Sequence, residues 1–499
     1  MPTKAPTRAR GRKAMPFEPV LVRERDCYTV RGIANKLKLS MEDALACVRS
    51  LAARGVLTLR SDSLPDDYDP EGDAEAIGKY QVTWVGLARY KGTLIVAYPK
   101  YYPRGVEPGE EELKQVFRVL RKASGGLSAI GAADVDAPED GGPFALMLRL
   151  LESYEENGVY SNYVRVLRDN GTGEIAWEPT IASSQPFMDG DAPVYFDLKT
   201  RDTSRDAADF VERLHRCVLT RCSADLEAWG IDELFSLAPV RISAEELEDF
   251  GDADAVSYRL EQERSVQFVT WKQDVIDMLL RYLNPGEECA APEEELCLGT
   301  TSFYHAWEEA CKTAFGDRLA DRLDSLGVEL RGEWTARGRE TLLGIIPRPE
   351  WTRFDAEGAE EPCGEVDTLI PDVVAVHADG SGGLAFCIYD AKYYTPTLGE
   401  RVHGVPGVES VTKQILYQSA YRGFVRDCGF SRVANVFLVP RHGGEARRMG
   451  RVAFPGVFDS LGGPFTDGVE MWELPAEEIF ECYLRGEIAD EDLLRLIMV

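Results

Sequence analysis

The chain reads as a multidomain protein of mixed α+β and α/β class. Three observations carry that reading. Its 499 residues, 44% hydrophobic, suffice for several buried cores. Helix-period and strand-period stretches alternate along it, so neither class prevails. Within residues 366–421 two runs rich in Val, Ile and aromatics, Thr368–Val376 and Leu384–Tyr389, flank His377-Ala-Asp-Gly-Ser-Gly-Gly383, which is turn chemistry. A buried hairpin is expected there, followed by an amphipathic helix over Val408–Val425.

In chain order, residues 1–20 hold Lys4, Arg8, Arg10, Arg12 and Lys13 with almost no acid, a disordered basic tail. Residues 21–62 read as a winged-helix-like unit. A helix is expected over Tyr28–Leu37. Ser40 and Asp43 make a capping box for a second helix, Met41–Arg54, which Gly55 closes, and Val56–Arg60 is a strand. That second helix opens with Glu42 and Asp43, which repel phosphate, so DNA binding there stands level with a structural role. Residues 63–78 are an acidic linker. Residues 79–235 form a β-rich domain with a hairpin turning at Arg89-Tyr-Lys-Gly92 and helices over Glu110–Lys122 and Phe144–Asn157. Residues 236–295 form a helical connector in which Phe268, Trp271, Ile276, Leu279 and Leu280 are expected to pack inside. Residues 296–499 form the last domain, with a helix over Phe303–Ala314, an apolar strand over Leu342–Phe354, a buried strand over Ala434–Pro440 and two helices over Ala476–Leu496.

Composition excludes several functions. A net charge of −29 argues against a basic coat for wrapping nucleic acid and against an anionic membrane surface, so any DNA contact must be local. No apolar run approaches a membrane span. Eleven scattered cysteines without a C-x-x-C pair suit a reduced, cytoplasmic protein, and the closest pair, Cys217 and Cys222 near His215, reads as core rather than zinc. No nucleotide-binding motif occurs, and the glycines around Thr172 read as a turn.

The chemistry-bearing set lies on the hairpin. The first run carries Pro371-Asp372, and the second ends in Asp390-Ala391-Lys392. Residues two apart on a strand share a face, so Asp390 and Lys392 point together. Asp372 and Asp390, with the carbonyl of Ala391, offer oxygens for Mg²⁺, with Mn²⁺ as an alternative occupant. Lys392 is placed to orient or deprotonate a water. Phosphodiester hydrolysis needs this set. Acid-x-Lys also occurs at Glu112-Leu-Lys114 and Asp197-Leu-Lys199, but neither follows a strand bearing Pro-Asp. A helical acid, Glu308 or its neighbour Glu309, is placed to share the metal. Arg441, Arg447, Arg448 and Arg451, with His442, crowd a Gly-rich turn and are the candidate contacts to DNA phosphate.

Strand, strand with Asp-x-Lys, then a helix bearing Gln414, Tyr417 and Tyr421 resembles the PD-(D/E)xK nuclease superfamily, which implies a restriction-endonuclease-like fold for the C-terminal domain and a catalytic place for Gln414. More narrowly, residues 79–450 resemble the LlaJI family of restriction endonucleases, relatives of the McrBC nuclease subunit. The marks are Val85-Gly86, Tyr98-Pro-Lys-Tyr101, Gly171-Thr-Gly-Glu-Ile-Ala-Trp177 with Thr180, Trp307-Glu308, Ile370-Pro-Asp372, Asp390-Ala-Lys-Tyr-Tyr394 and Lys413-Gln-Ile-Leu-Tyr417. The resemblance favours Glu308 over Glu309. It implies a double-stranded DNA substrate, a role in restriction of foreign DNA beside DNA methyltransferases, and a McrB-like AAA+ GTPase partner, expected to dock on residues 79–200. The expected function is a Mg²⁺-dependent DNA endonuclease. The alternatives are a non-catalytic DNA-binding adaptor or regulator and a RecB-like repair exonuclease.

Overall fold

The computed structural model describes residues 19–60, 78–124, 142–205, 209–284, 295–355, 358–365, 367–456 and 461–498. The expected basic tail, most of the acidic linker 63–78 and most of the segment 285–295 lie outside these residues. The described chain is mixed α/β with several sheets and divides into two compact units that are discontinuous in sequence. One gathers residues 19–136 with 297–499, and the other centres on 137–296.

The larger unit begins with two helices, Val30–Leu37 and Met41–Ala53, against a three-stranded antiparallel sheet of Cys27–Thr29, Lys79–Val82 and Leu57–Leu59. Ser40 Oγ accepts the Asp43 N–H at 3.1 Å, as the capping box requires, and Gly55 follows at φ +72°. The first helix starts at Val30 rather than Tyr28. Cys27–Thr29 is drawn into the sheet, and Thr29 caps the helix through the Gly32 N–H at 3.1 Å. A second sheet runs Val20–Arg23, Thr93–Tyr98, Val85–Tyr90, Glu295–Thr300. Its hairpin turns at Lys91 and Gly92, both at positive φ, the twist that a two-residue turn between right-twisted strands demands. The Lys91 ammonium lies 2.7 Å from Asp43, so this tip rests on the second helix. Gly86 is fixed by close approach: a Cβ there would come 2.2 Å from the Leu298 carbonyl oxygen.

The C-terminal sheet has five strands in the order Val373–Ala378, Leu384–Ala391, Arg432–Arg441, Val469–Pro475, Arg447–Val452. The outer pairs are antiparallel and the two inner pairs parallel. The inner strand Arg432–Arg441 is buried from Val433 to Pro440, apolar but for Asn435, as befits a strand covered on both faces. Helix Phe303–Ala314 falls where expected. The expected helix Val408–Val425 breaks at Tyr421 into Val408–Ala420 and Arg422–Asp427. The expected apolar strand over Leu342–Phe354 is instead a one-turn helix, Leu342–Ile345, and an exposed strand, Glu350–Phe354, paired with Glu360–Glu365. The buried residues Leu342, Ile345 and Ile346 all lie before Pro347, and the strand after it is fully exposed.

A buried polar junction binds the N-terminal elements to the C-terminal sheet. Tyr393 Oη donates to Glu24 Oε2 at 2.6 Å, and the Lys100 N–H reaches the same two side chains at 3.1 and 3.2 Å. Lys100 Nζ lies 3.4 Å from Glu24 Oε1 and 4.0 Å from the Tyr393 ring centroid. Arg23 Nε donates to the Tyr102 carbonyl at 2.6 Å. All of these side chains are buried.

In the smaller unit, Tyr163–Asp169 pairs antiparallel with Lys199–Arg205, which also pairs with Glu174–Ile175. Cβ atoms at Gly171 and Gly173 would collide with Asp202 and the Arg201 carbonyl, so these glycines permit strand contact and cradle no phosphate. Helices Gly142–Asn157, Phe210–Ala228, Ala253–Val266 and Thr270–Leu283 of this unit pack on one another. His215 is buried there and accepts the Tyr160 N–H at Nδ1 at 3.0 Å. Burial lowers its pKa to about 4, so it is a neutral core residue. Phe268 departs from expectation: it is 90% exposed, in the break between two helices rather than on their packed face.

Glu24→Ala would strand the buried Lys100 ammonium, and losing one partner of a buried pair costs about 3–5 kcal/mol. Denaturant unfolding should show that loss, with a smaller one for Tyr393→Phe. Equal stability of Glu24→Ala and the parent would remove the junction from the account.

Candidate active site

Strand register builds the site. Val373 pairs with Tyr389, so Asp372, one residue earlier, stands beside Asp390. Pro371 and Asp372 lie just ahead of the strand rather than inside it, which frees the carboxylate from the ladder. Asp372 Oδ2 accepts the Ala391 N–H at 2.9 Å. The N–H and C=O of a strand residue leave on the same side, so the Ala391 carbonyl also faces the Asp372 edge. Lys392 Nζ donates to Asp390 Oδ1 at 2.7 Å, and the Lys392 N–H reaches the Leu438 carbonyl at 2.9 Å. The three expected side chains therefore share one place.

The site is electrostatically tense. Burial, then the Asp390 carboxylate and further Glu308, push the Asp372 pKa up to about 8. Burial pulls Lys392 down, but Asp390 and Asp372 outweigh it and hold the ammonium's proton more firmly than usual. A dication held by the two carboxylates would offset their repulsion. With the Ala391 carbonyl they form an all-oxygen donor set that suits Mg²⁺ or Mn²⁺.

Glu308 reaches this pair from helix Phe303–Ala314. Trp307 Nε1 donates to the same Leu438 carbonyl at 3.1 Å and fixes the helix on the sheet. Beyond the helix, Asp317 Oδ1 accepts the Val374 N–H at 2.9 Å and ties it to the strand after Asp372. Glu308 is held by Lys312 at 2.9 Å and acts on Asp372 and Cys311, whereas its neighbour Glu309 acts on Tyr483. Both acids share the Lys312 ammonium, Glu309 at 2.8 Å, but only Glu308 acts on Asp372. Lys312 and the Glu24–Lys100–Tyr393 junction were not read from the sequence. Only the i, i+4 spacing of Glu308 and Lys312 offered a signal.

Gln414 is fully buried on helix Val408–Ala420, and neither side-chain amide atom has a hydrogen-bond partner. It is not bonded to the acids. The helix is tied to the site by Tyr417, whose hydroxyl donates to the Ile370 carbonyl at 2.9 Å and whose pKa burial, Asp390 and Asp372 raise. The arginine cluster is not an open basic patch. Strand Val469–Pro475 places Glu473 2.7 Å from Arg447, pairs Glu470 with Arg448, and sets Glu470 opposite Arg451, while Arg441 donates to the Glu445 carbonyl at 3.1 Å. Arg447 and Arg448 stay more than half exposed in these pairs, with donors left over for a further acceptor. The rival motifs are engaged elsewhere: Lys199 pairs with Asp169, and Lys114 with Glu110 and Glu111.

The LlaJI restriction endonuclease family matches residues 84–331 and 340–455, well over half of the chain. The "Type II restriction enzyme BsuMI component YdjA" of Bacillus subtilis is 24% identical over 437 residues, 85% of each chain. Among solved structures, a chain of the half-complex of Thermococcus gammatolerans "McrB AAA+ hexamers with bound McrC" aligns over 94% of this chain and 99% of its own, at 12% identity and a TM-score of 0.34.

The raised Asp372 pKa sets the pH response of the metal-free protein. Below the ordinary aspartate value both folded and unfolded states hold the proton. As pH climbs from there to about 8 the unfolded chain loses it and the folded chain keeps it, so stability falls across that window. In EDTA, the melting temperature of the parent should drop relative to Asp372→Asn between pH 5 and about 8. Parallel curves would contradict the strained acid pair.

Proposed function

The chain belongs to the LlaJI restriction endonuclease family, and from that premise we propose a Mg²⁺-dependent DNA endonuclease of a restriction system, cutting at a PD-(D/E)xK-like centre built on Asp372, Asp390 and Lys392. The observation that carries the reading is the meeting of these three side chains at the end of the sheet. Asp372, Asp390 and the Ala391 carbonyl would hold the dication, with Glu308 as an outer acid. The ion supplies charge neutralisation at the scissile phosphate and acidifies a bound water. Lys392, kept cationic by the acids, donates toward the water or the phosphate oxygen and holds it in line. Gln414 holds two buried, unpartnered amide atoms in the helix–sheet seam, which suit a bound water.

The partnership with a McrB-like AAA+ GTPase and the pairing with DNA methyltransferases are drawn from the sequence resemblance. The proposal places GTP hydrolysis on the partner, which accords with the lack of a nucleotide-binding motif in this sequence. Residues 79–200 remain the proposed docking region, but not through Lys91, which Asp43 engages. The two helices and three-stranded sheet of residues 27–82 support the winged-helix reading. Asp43, bound to Lys91, favours a structural role for its second helix.

Covalently closed circular DNA with Mg²⁺ is the test, assayed with and without a McrB-like GTPase and GTP. The parent should linearise it, and Asp390→Ala and Lys392→Ala should each lose about 10²-fold or more in rate. Glu308→Gln should cut more slowly and need more Mg²⁺. A full rate in Lys392→Ala would move the chemistry elsewhere. Degradation of linear DNA alone would make the enzyme an exonuclease, and equal cutting without the GTPase would make it self-sufficient.

A further inference from the structure

A second constellation sits apart from the candidate active site. Glu112, in the first turn of helix Glu110–Ala123, Glu477, in the first turn of helix Ala476–Arg485, and His442, just past strand Arg432–Arg441, bring one ligand atom each to within 4.8 Å of one another. All three are half-buried. Each carboxylate is already oriented through one oxygen: Glu112 Oε2 accepts the Gly109 N–H at 2.7 Å, and Glu477 Oε2 the Gly443 N–H at 3.0 Å. The other oxygens face His442 Nδ1, at 2.7 Å from Glu477 Oε1 and 4.0 Å from Glu112 Oε1. One ring nitrogen has a single proton to give, so it serves Glu477 and leaves Glu112 behind. Ligands sharing a dication at about 2.1 Å in tetrahedral geometry lie roughly 3.4 Å apart, and the two observed spacings bracket that value.

A second observation points into the same place. Tyr102 is 1% exposed, its hydroxyl has no hydrogen-bond partner, and its ring lies 4.5 Å from the His442 ring, tilted by 31°. The hydroxyl also feels both Glu477 and Glu112. An orphaned buried hydroxyl beside two carboxylates and an imidazole is the kind of group that a bound ion or its water satisfies.

We propose that Glu112, His442 and Glu477 form a second cation site for a transition-metal dication such as Zn²⁺, which clamps helix Glu110–Ala123 to helix Ala476–Arg485. One imidazole nitrogen with two carboxylates favours such an ion over Mg²⁺, which prefers oxygen and retains its waters. The clamp is structural. It joins the N-terminal elements to the C-terminal sheet where Gln115 Nε2 also donates to the Glu477 carbonyl, at 2.9 Å.

The full-length chain carrying Asp372→Asn and Asp390→Asn, which silences the candidate active site, is titrated with Zn²⁺ by calorimetry, and its melting is followed. One equivalent should bind and raise the melting temperature by several degrees, and equimolar Mg²⁺ should not. Adding Glu112→Gln should weaken Zn²⁺ binding at least tenfold, and adding His442→Ala should abolish it. His442→Gln serves if the alanine variant fails to fold. Zinc-edge absorption should show nitrogen and oxygen neighbours only. A sulfur shell would assign the ion to a cysteine, and absence of binding, or undiminished binding in the Glu112 and His442 variants, would overturn the site.

Discussion

The crowding of two carboxylates, Asp372 and Asp390, at the end of the C-terminal sheet is the constraint on which the candidate site depends. Asp372 and Asp390 are forced together because the antiparallel register pairs Val373 with Tyr389. Burial on the sheet's end raises Asp372, and the attraction of the acid pair holds Lys392 charged. A register slip would separate the two acids, but it would exchange the two buried faces of strand Leu384–Ala391 and force the whole core to repack. The core therefore enforces the strain.

The surroundings fix this pair rather than adding to it. The Leu438 carbonyl receives both the Lys392 N–H and Trp307 Nε1, so one atom aligns the lysine strand and the Glu308 helix. One residue past Lys392, Tyr393 is held by Glu24 and Lys100 from the other end of the chain. The Tyr98-Pro-Lys-Tyr101 and Asp390-Ala-Lys-Tyr-Tyr394 motifs thus meet in space. The N-terminal elements act as a buttress for the strand that carries Asp390, and they belong to the same compact unit.

Much of this was legible in the sequence for local reasons. The hairpin announced itself through its apolar runs and glycine turn, the capped helix through Ser40 and Asp43, and the lysine–acid pair through the two-residue period. The Lys91–Gly92 turn was readable for the same reason. What was not legible is long-range. Nothing near Arg447 or Arg448 reveals that Glu473 and Glu470 arrive on a neighbouring strand and neutralise them. Nothing near Glu24 reveals Tyr393. Phe268 misled because helical spacing was counted through a break that Gln267 creates by bonding the Phe268 and Val269 N–H groups. Glu308 was separated from Glu309 only by the Trp307 beside it, and that tryptophan is what anchors the helix.

The central claim is that Asp372 and Asp390 jointly hold a catalytic dication. Crystals soaked in Mn²⁺ and measured for anomalous scattering test it most directly. The account predicts a peak within about 2.5 Å of a carboxylate oxygen of both residues, lost in Asp390→Ala. No ion between them at Mn²⁺ concentrations that support DNA cleavage would contradict it.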